Sequence, residues 1–394
     1  MEKVIFLGIM FTEQGISDAY KFCRKGVQYA PHVFQKNLLG GFVENEVDIT
    51  VFSVPPIGSC PFNYKKLFIK QVDCDNQHQV GYINLPVVKK FIQQKKLYKQ
   101  IKAIVKDGKE CSIVIYYTYK PFLKVAKRIK KEYPNVKVVL IQTDAIQGRG
   151  DMDKYMTRHR IREGNKLVEL ASAIDGFVLL TKHLKDVLEV GDRPYIVMES
   201  VCKVSCEKTQ TNTTSKNVCL YTGSINKVFG ILDLAKAFTQ IDNSELWICG
   251  AGDTQRELSQ LSKKYNNIKF FGYVEHEVVE KLQSQCDFLI NPRRPTGSYT
   301  KYSFPSKTVE YMITGKPVIM YKLEGVPDEY DEYLNYLSAE NPNGIAIQLK
   351  EIFNQDYEQL ISKANKAQEF VIENKNPKAQ AKRIMDLIKD INIR

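Results

Sequence analysis

Two kinds of apolar patterning alternate along this chain. Short continuous apolar runs rich in β-branched residues predict strands, and stretches in which apolar residues return every three or four positions predict helices. In the first half the runs are "KVIFLGI", "DITVFSV", "SIVIYY", "VKVVLIQ", "GFVLL" and "YIVM". Runs without polar alternation belong to strands covered on both faces, which with intervening helices means a parallel, doubly wound sheet. Residues 202–217, "CKVSCEKTQTNTTSKN", are polar and aperiodic and read as a linker. The same grammar then restarts with "VCLYTGS", "LWICGAG", "IKFFGYV", "DFLINPRR" and "KPVIMYKLEG". The expected organisation is an α/β domain over 1–201, a linker over 202–217, a second α/β domain over 218–365 and a helical tail over 366–394. The tail breaks near Asn376-Pro377 and is placed to pack back across both domains.

Length agrees with two domains, because 394 residues exceed the size at which one core keeps growing. With 43% hydrophobic and 26% charged residues the composition is that of an ordinary globular protein, and no apolar run approaches the roughly 20 residues of a membrane-spanning helix. The opening "MEKVIFLGIMFTEQG" has a strand-length apolar run and no small-residue cleavage site, so a cytoplasmic location is expected. Nine scattered cysteines, with Cys111, Cys219 and Cys249 in expected strands, read as reduced thiols. Cys202 and Cys206 form a lone C-x3-C without the further ligands that tetrahedral zinc requires.

Charge changes the picture more. The net charge of +12 is concentrated in residues 1–200, which hold 32 Lys and Arg against 21 Asp and Glu; the remainder holds 25 against 24. Two helical segments carry the excess, 87–109 and 121–137, with Val88, Phe91 and Ile92, then Phe122, Val125, Ala126 and Ile129, as their apolar faces. Such faces are either solvated or dock on anionic lipid, where each basic residue near the surface adds roughly 1 kcal/mol. Nucleic acid is disfavoured as a partner, since aromatic stacking platforms are not interleaved with the lysines and no binding motif is present.

In the second domain the strand ends carry the chemistry. Gly223, Gly250 with Gly252, Gly272 and Gly325 follow apolar runs, and a fourth run ends in Asn291-Pro292-Arg293-Arg294. Ligands of open α/β sheets bind outside the carboxyl ends of the strands, where glycine admits close backbone approach. Pro305 predicts a helix start and Gly315 its stop. The first turn of that helix, with Ser306 and Lys307, suits a diphosphate, and Glu310 on the same face suits a ribose diol.

At these residues the chain resembles a family. "TKYSFPSKTVEYMITGKPVI", "YTGSINKVFG", "LWICGAGD" and "IKFFGYVEHEVVEKLQSQCDFLINPR" are similar to glycosyltransferases of the GT-B fold, family 4 and family 1-type, nearest a bacterial group that builds capsular and other surface polysaccharides. "HVFQKNLLGGF", "TDA" and "DGFVLLT" extend the likeness weakly into the first half. The resemblance implies two facing doubly wound Rossmann-like domains, a nucleotide-sugar donor, most simply a UDP-sugar, and metal-independent transfer with retention and no cofactor. It places Gly223, Ser224, Lys227, Gly250, Gly252, Tyr273, Asn291, Arg293, Ser306, Lys307 and Glu310 at the donor, with Glu310 as the second acid of E-x7-E. Lys307, Arg293 and Asp144 are the catalytic candidates, and Gly15, His32 and Tyr117 the acceptor-side ones. The acceptor is expected to be lipid-linked or an oligosaccharide, met at the inner membrane face.

Three departures stand out. The first acid of E-x7-E falls on Tyr302, and the Arg and Lys of the phosphate loop are Ser224 and Phe229. A leaving diphosphate needs positive charge, so Lys227, Arg293, Arg294, Lys301 and Lys307 are the available replacements. Asp151-Met152-Asp153 has the spelling of a metal motif but opens an expected helix. The competing readings are a UDP-sugar 2-epimerase, which would want more than the five histidines present, and a non-catalytic assembly partner with a decayed donor site, against which Ser306, Lys307 and Glu310 argue.

Overall fold

The computed structural model describes residues 2–24, 27, 29–108, 110–146, 149, 157–203 and 217–391. Residues 204–216 of the expected linker, Asp151–Asp153 and Cys206 lie outside them. The chain divides into two units, Met1–Lys203 with Asn376–Arg394, and Val204–Lys375.

The first unit is built on strands β1 (Lys3–Ile9), β2 (Ile49–Val54), β3 (Phe68–Ile69), β4 (Val72–Cys74), β5 (Gln77–Gln79), β6 (Tyr82–Ile83), β7 (Cys111–Tyr116), β8 (Lys137–Gln142), β9 (Gly176–Leu179) and β10 (Tyr195–Val197). Eight of them form one sheet in the order β10-β9-β8-β7-β1-β2-β5-β4, parallel except for β4 on β5, while β3 and β6 pair as a separate antiparallel ribbon. Every residue of β2 and β7 is buried, which is why these strands read as unbroken apolar runs. The chain order reverses at β1, whose neighbours are β2 and β7. Helices α1 (Glu13–Phe22), α2 (Ala30–Glu44), α3 (Val88–Val105), α4 (Lys120–Glu132), α5 (Arg158–Leu170) and α6 (Leu184–Val187) accompany the strands.

Of the two basic helices, α4 buries the face expected of it, Phe122, Val125, Ala126 and Ile129. In α3 the outcome differs. Its buried row is Gln93, Leu97, Ile101 and Val105, and the expected inward residues Val88 and Phe91 stand out in solvent at 41% and 69% exposure. Two apolar rows share this helix, and the C-terminal row, four residues apart over three turns, won the core.

The second unit has strands β11 (Asn217–Thr222), β12 (Ser244–Cys249), β13 (Ile268–Gly272), β14 (Phe288–Asn291), β15 (Val318–Tyr321) and β16 (Asn335–Leu337) in one parallel sheet ordered β13-β12-β11-β14-β15-β16. Its helices are α7 (Ile231–Phe238), α8 (Gln255–Lys264), α9 (His276–Gln285), α10 (Lys307–Met312), α11 (Pro342–Phe353) and α12 (Tyr357–Asn374). The strand order reverses between β11 and β14, which puts the crevice at their carboxyl ends. The last helix, α13 (Pro377–Asp390), belongs to the first unit. It buries Ile384, Leu387 and Ile388 in a core with Leu38 and Phe42 of α2, and Gln380 and Arg383 donate to the carbonyls of Ser200 and Val197 at 2.9 and 2.8 Å. Helix α12 runs through position 366 without a break, and the chain changes units at Lys375/Asn376.

Candidate functional site

In the second unit the loops after β11, β12 and β13 form one hydrogen-bonded set. The Gly223 N–H donates to Cys249 O at 3.0 Å, Ile225 N–H to Ala251 O at 3.1 Å and Gly250 N–H to Gly272 O at 2.7 Å. Asp253 accepts from the Lys227 N–H at 2.7 Å, and Asn226 accepts from the Asp253 N–H at 3.1 Å. This packing gives the glycines a reason other than the expected one. A Cβ at Gly250 would lie 1.8 Å from the Gly223 carbonyl oxygen, and one at Gly252 would lie 2.6 Å from Asn226 Oδ1. The close approach at these two positions is made by the neighbouring loop's own backbone and side chain.

Helix α10 is tied to the same place. Tyr311 is wholly buried, and its phenol accepts from the Thr222 N–H at 2.9 Å and donates to the Thr222 carbonyl at 3.1 Å. Burial holds its phenol far above the ordinary tyrosine range. Since Thr222 directly precedes Gly223, this bond fixes α10 against the loop that ends β11. The helix begins at Lys307, with Ser306 as its N-cap, and beyond its end Gly315 adopts a left-handed φ of +70°, where the sequence placed the stop.

The expected ligand groups of α10 face each other here, since Lys307 Nζ lies 2.5 Å from Glu310 Oε2. Their side chains are 37% and 46% exposed, so the pair contributes about 0.2–1 kcal/mol and yields readily to a competing charge.

Arg293 follows β14 and is held on three sides. Its Nη2 donates to Ser303 Oγ at 2.8 Å, and its guanidinium carbon lies 5.7 Å from the Phe229 ring centroid and 5.1 Å from that of Tyr299. Asn291, buried, accepts from the Arg293 N–H at 3.2 Å. The guanidinium reaches the β11 loop: burial pushes the Tyr221 phenol up to about 12, the Arg293 charge opposes that shift, and the Tyr221 hydroxyl donates to Ser224 O at 2.7 Å. Arg294 instead pairs with Asp233 on α7 at 2.8 Å. Tyr302 is buried, so the position of the first acid is turned into the core. Tyr273 is 76% exposed beyond β13, and Lys227 and Ser224 are exposed.

In the first unit the acceptor-side candidates sit at the ends of β1, β7 and β8. The Gly15 N–H caps onto Thr12 Oγ1 at 3.1 Å. His32 is buried, and its Nδ1 accepts from the Phe11 N–H at 3.3 Å, which leaves the proton on Nε2. Burial, then Lys36, holds its pKa below 6.5. Tyr117 takes φ +69° directly after β7, and desolvation raises the Asp144 carboxyl, modestly in effect because the residue is exposed at its surface. Burial raises both Tyr116 and Tyr117 and the Asp144 charge adds to it, so the three are neighbours. Sequence reasoning missed two buried amides here. Gln35 of α2 exchanges hydrogen bonds with Ile9 at 2.9 and 2.8 Å, and Gln142 accepts from the Thr118 N–H at 3.1 Å. The available signal was a polar residue on an apolar helix face, because Gln35 shares the row of Leu38 and Phe42.

Residues 216–355 match the family model described as "Glycosyl transferases group 1". Over that stretch the chain carries a group 1 glycosyltransferase domain, and the whole chain has the GT-B fold. Among solved structures the chain is similar to the lipopolysaccharide outer core galactosyltransferase WaaB, at 12% identity and TM-score 0.64 over 98% of this chain and 99% of that one. It is likewise similar to sucrose-phosphate synthase from Thermosynechococcus elongatus, at 16% identity and TM-score 0.61 over 99% and 98%. Anabaena HepE, in complex with UDP and glucose, shares 14% identity and TM-score 0.59 over 99% and 100%. No curated protein matches the sequence closely enough to count as a relative. Among the described residues of the enzyme no helix is long and apolar enough to cross a membrane.

Proposed function

We propose that this glycosyltransferase takes a sugar from a UDP-sugar and delivers it to a lipid-linked or oligosaccharide acceptor in the assembly of a surface polysaccharide, with retention and without a metal ion. The observation that carries the reading is the Tyr311–Thr222 tie, which joins the helix bearing Lys307 and Glu310 to the residue before Gly223. Arg293 approaches the β11 loop from β14. The UDP held by HepE supports the choice of nucleotide, and the galactosyltransferase WaaB supports a surface-polysaccharide role.

In this reading the Lys307–Glu310 pair opens on binding. Glu310 accepts from the ribose hydroxyls, and Lys307 with Ser306 meets the diphosphate. As the anomeric carbon–oxygen bond breaks, negative charge gathers on the leaving UDP, and Arg293 and Lys307 stabilise it. Gly250 and Gly252 keep the loops thin enough for the nucleotide to lie on them. On the acceptor side Asp144, with its raised carboxyl pKa, is the group suited to take a hydroxyl proton. Tyr117, Gly15 and His32, with its Nε2 proton, line the approach. The lysine-rich faces of α3 and α4 meet an anionic membrane surface.

Titration calorimetry with UDP tests the donor assignment. Glu310→Ala is expected to weaken UDP about tenfold or more, the worth of hydrogen bonds to a charged group, while Lys307→Ala mainly lowers turnover. Wild-type affinity and rate in both variants would remove the donor site from α10.

A further inference from the structure

The outward turn of Phe91 is part of a larger feature. Phe62 is 74% exposed, Phe68 67%, Val87 82% and Phe91 69%. They come from the loop before β3, from β3 itself and from the start of α3, and hydrogen bonds lace these segments together. Phe68 pairs across to Ile83, the Asn84 N–H donates to Leu67 O at 2.7 Å, the Cys60 N–H donates to Asn84 O at 2.8 Å, and Lys89 Nζ donates to Ile57 O at 3.1 Å. One small, tightly bonded part of the first unit therefore presents four large apolar side chains to water, an arrangement that marks an interaction surface. Val87 sits there at φ +64°, a region β-branched residues avoid, and strain of this kind collects at functional places.

The surroundings of this tip are predominantly basic. Helix α3 has six lysines and no acidic residue, with Lys90, Lys95, Lys96 and Lys99 exposed, and Lys65 and Lys70 are exposed beside β3. Of the nearby acids, Asp18 is engaged by Lys66 at 2.8 Å and Asp73 by Gln71 and His78 at 2.8 and 2.9 Å, and Asp75 in the β4–β5 turn stands in solvent. Next to α3 lies α4, with Arg128 3.7 Å over the Tyr98 ring and Glu132 joined to Lys102 at 2.8 Å, and its exposed Lys124, Lys127 and Lys131 extend the basic face.

We propose that this tip inserts Phe62, Phe68, Val87 and Phe91 into the headgroup–acyl boundary of an anionic bilayer, with the α3 lysines lying at the lipid phosphates. The proposal rests on the membrane-facing reading of the basic helices and deepens it from adsorption to insertion. Apolar projections ringed by lysines match a surface that is negative outside and hydrocarbon within. A second copy of the chain fits less well, because it would bring two lysine rows together.

Vesicle flotation of the full chain tests this. Binding is expected to vesicles of mixed phosphatidylcholine and phosphatidylglycerol and not to phosphatidylcholine alone. The triple variant Phe62→Ser, Phe68→Ser, Phe91→Ser is expected to lose at least about tenfold in vesicle affinity, with UDP affinity and melting temperature unchanged because all three side chains lie in solvent. For depth, Trp247→Phe removes the single tryptophan and Phe91→Trp installs a reporter. Its emission is expected to shift to the blue on anionic vesicles and to be quenched by brominated acyl chains. Wild-type affinity in the triple variant, or an unquenched reporter, overturns insertion and leaves only charge-driven adsorption. Absence of binding by the wild-type chain overturns the membrane-facing reading itself. Self-association abolished by the triple variant would assign the tip to a second copy instead.

Discussion

Arg293 answers, at the scale of one residue, the question raised by Ser224 and Phe229. Where the family resemblance leads one to expect a lysine before the glycine, this chain has an aromatic ring, and that ring, like Tyr299, flanks the guanidinium of Arg293. Each such contact contributes about 0.5–2 kcal/mol depending on desolvation, and together with Ser303 they set the guanidinium in one orientation. The Nε of Arg293 and that of Arg294 are both buried without a hydrogen-bond partner among the described residues, but Arg294 has its charge paired with the Asp233 carboxylate, whereas the side-chain partner of Arg293 is the neutral Ser303 hydroxyl. In the function proposed above, the positive charge therefore enters from β14 rather than from the β11 loop. Arg293→Ala is expected to lower kcat about 10²–10³-fold, the cost of losing one preorganised donor at a developing oxyanion. Adding Phe229→Lys to that variant is expected to restore part of the rate, because the new ammonium rises from the position the ring now fills. Steady-state rates of the single and double variants decide it, and a double variant no faster than Arg293→Ala would place Arg293 away from the diphosphate.

Elements were legible where both faces are buried. The runs that became β1, β2, β7, β8, β11, β12, β14 and β15 stand out because a strand covered on both sides tolerates few polar residues. Strands β4, β5 and β16 escaped notice for the opposite reason: they lie at or beside sheet edges, and "VDC", "QHQ" and "NYL" carry the polarity of an edge. Helix α3 misled because Val88 and Phe91 have helical spacing, and spacing alone does not say which of two apolar rows meets the core. Glycines at strand ends do fall where the loops after β11, β12 and β13 meet, although Gly250 is fixed by the Gly223 carbonyl rather than by ligand approach. Helix α13 could be read as a helix but not assigned to a unit, since its partners lie more than 170 residues away in sequence. Its Ile384 is fully buried. Ile384→Ala is expected to destabilise the first unit by about 2–5 kcal/mol, a large share of the 5–15 kcal/mol that holds a domain together. Hydrogen exchange should quicken in β9, β10 and α2 and stay unchanged in β11–β16. Uniform protection in the variant would mean that α13 contributes little to that core.

For the whole molecule, the division of labour follows from where the residues fall. Every donor candidate, from Gly223 through Arg293 to Glu310, lies within residues 217–375, and so do all the bonds that shape their loops. That unit has its own six-stranded sheet with Leu220, Ile248, Phe288 and Ile319 almost fully buried, and a sheet covered by its own helices does not depend on another domain for its core. The basic excess is segregated into the other half, which holds 32 Lys and Arg against 21 Asp and Glu in residues 1–200 while the rest is nearly neutral. Nucleotide affinity should therefore be a property of the second unit, and lipid affinity of the first. A fragment of residues 217–375 is expected to fold and to bind UDP within about tenfold of the full chain, to transfer no sugar, and to ignore anionic vesicles. Circular dichroism establishes that the fragment is folded and calorimetry measures its UDP affinity. A folded fragment that fails to bind UDP would show that the donor site needs residues from the first unit, and the assignment of the nucleotide to the β11 and β14 ends alone would fall with it.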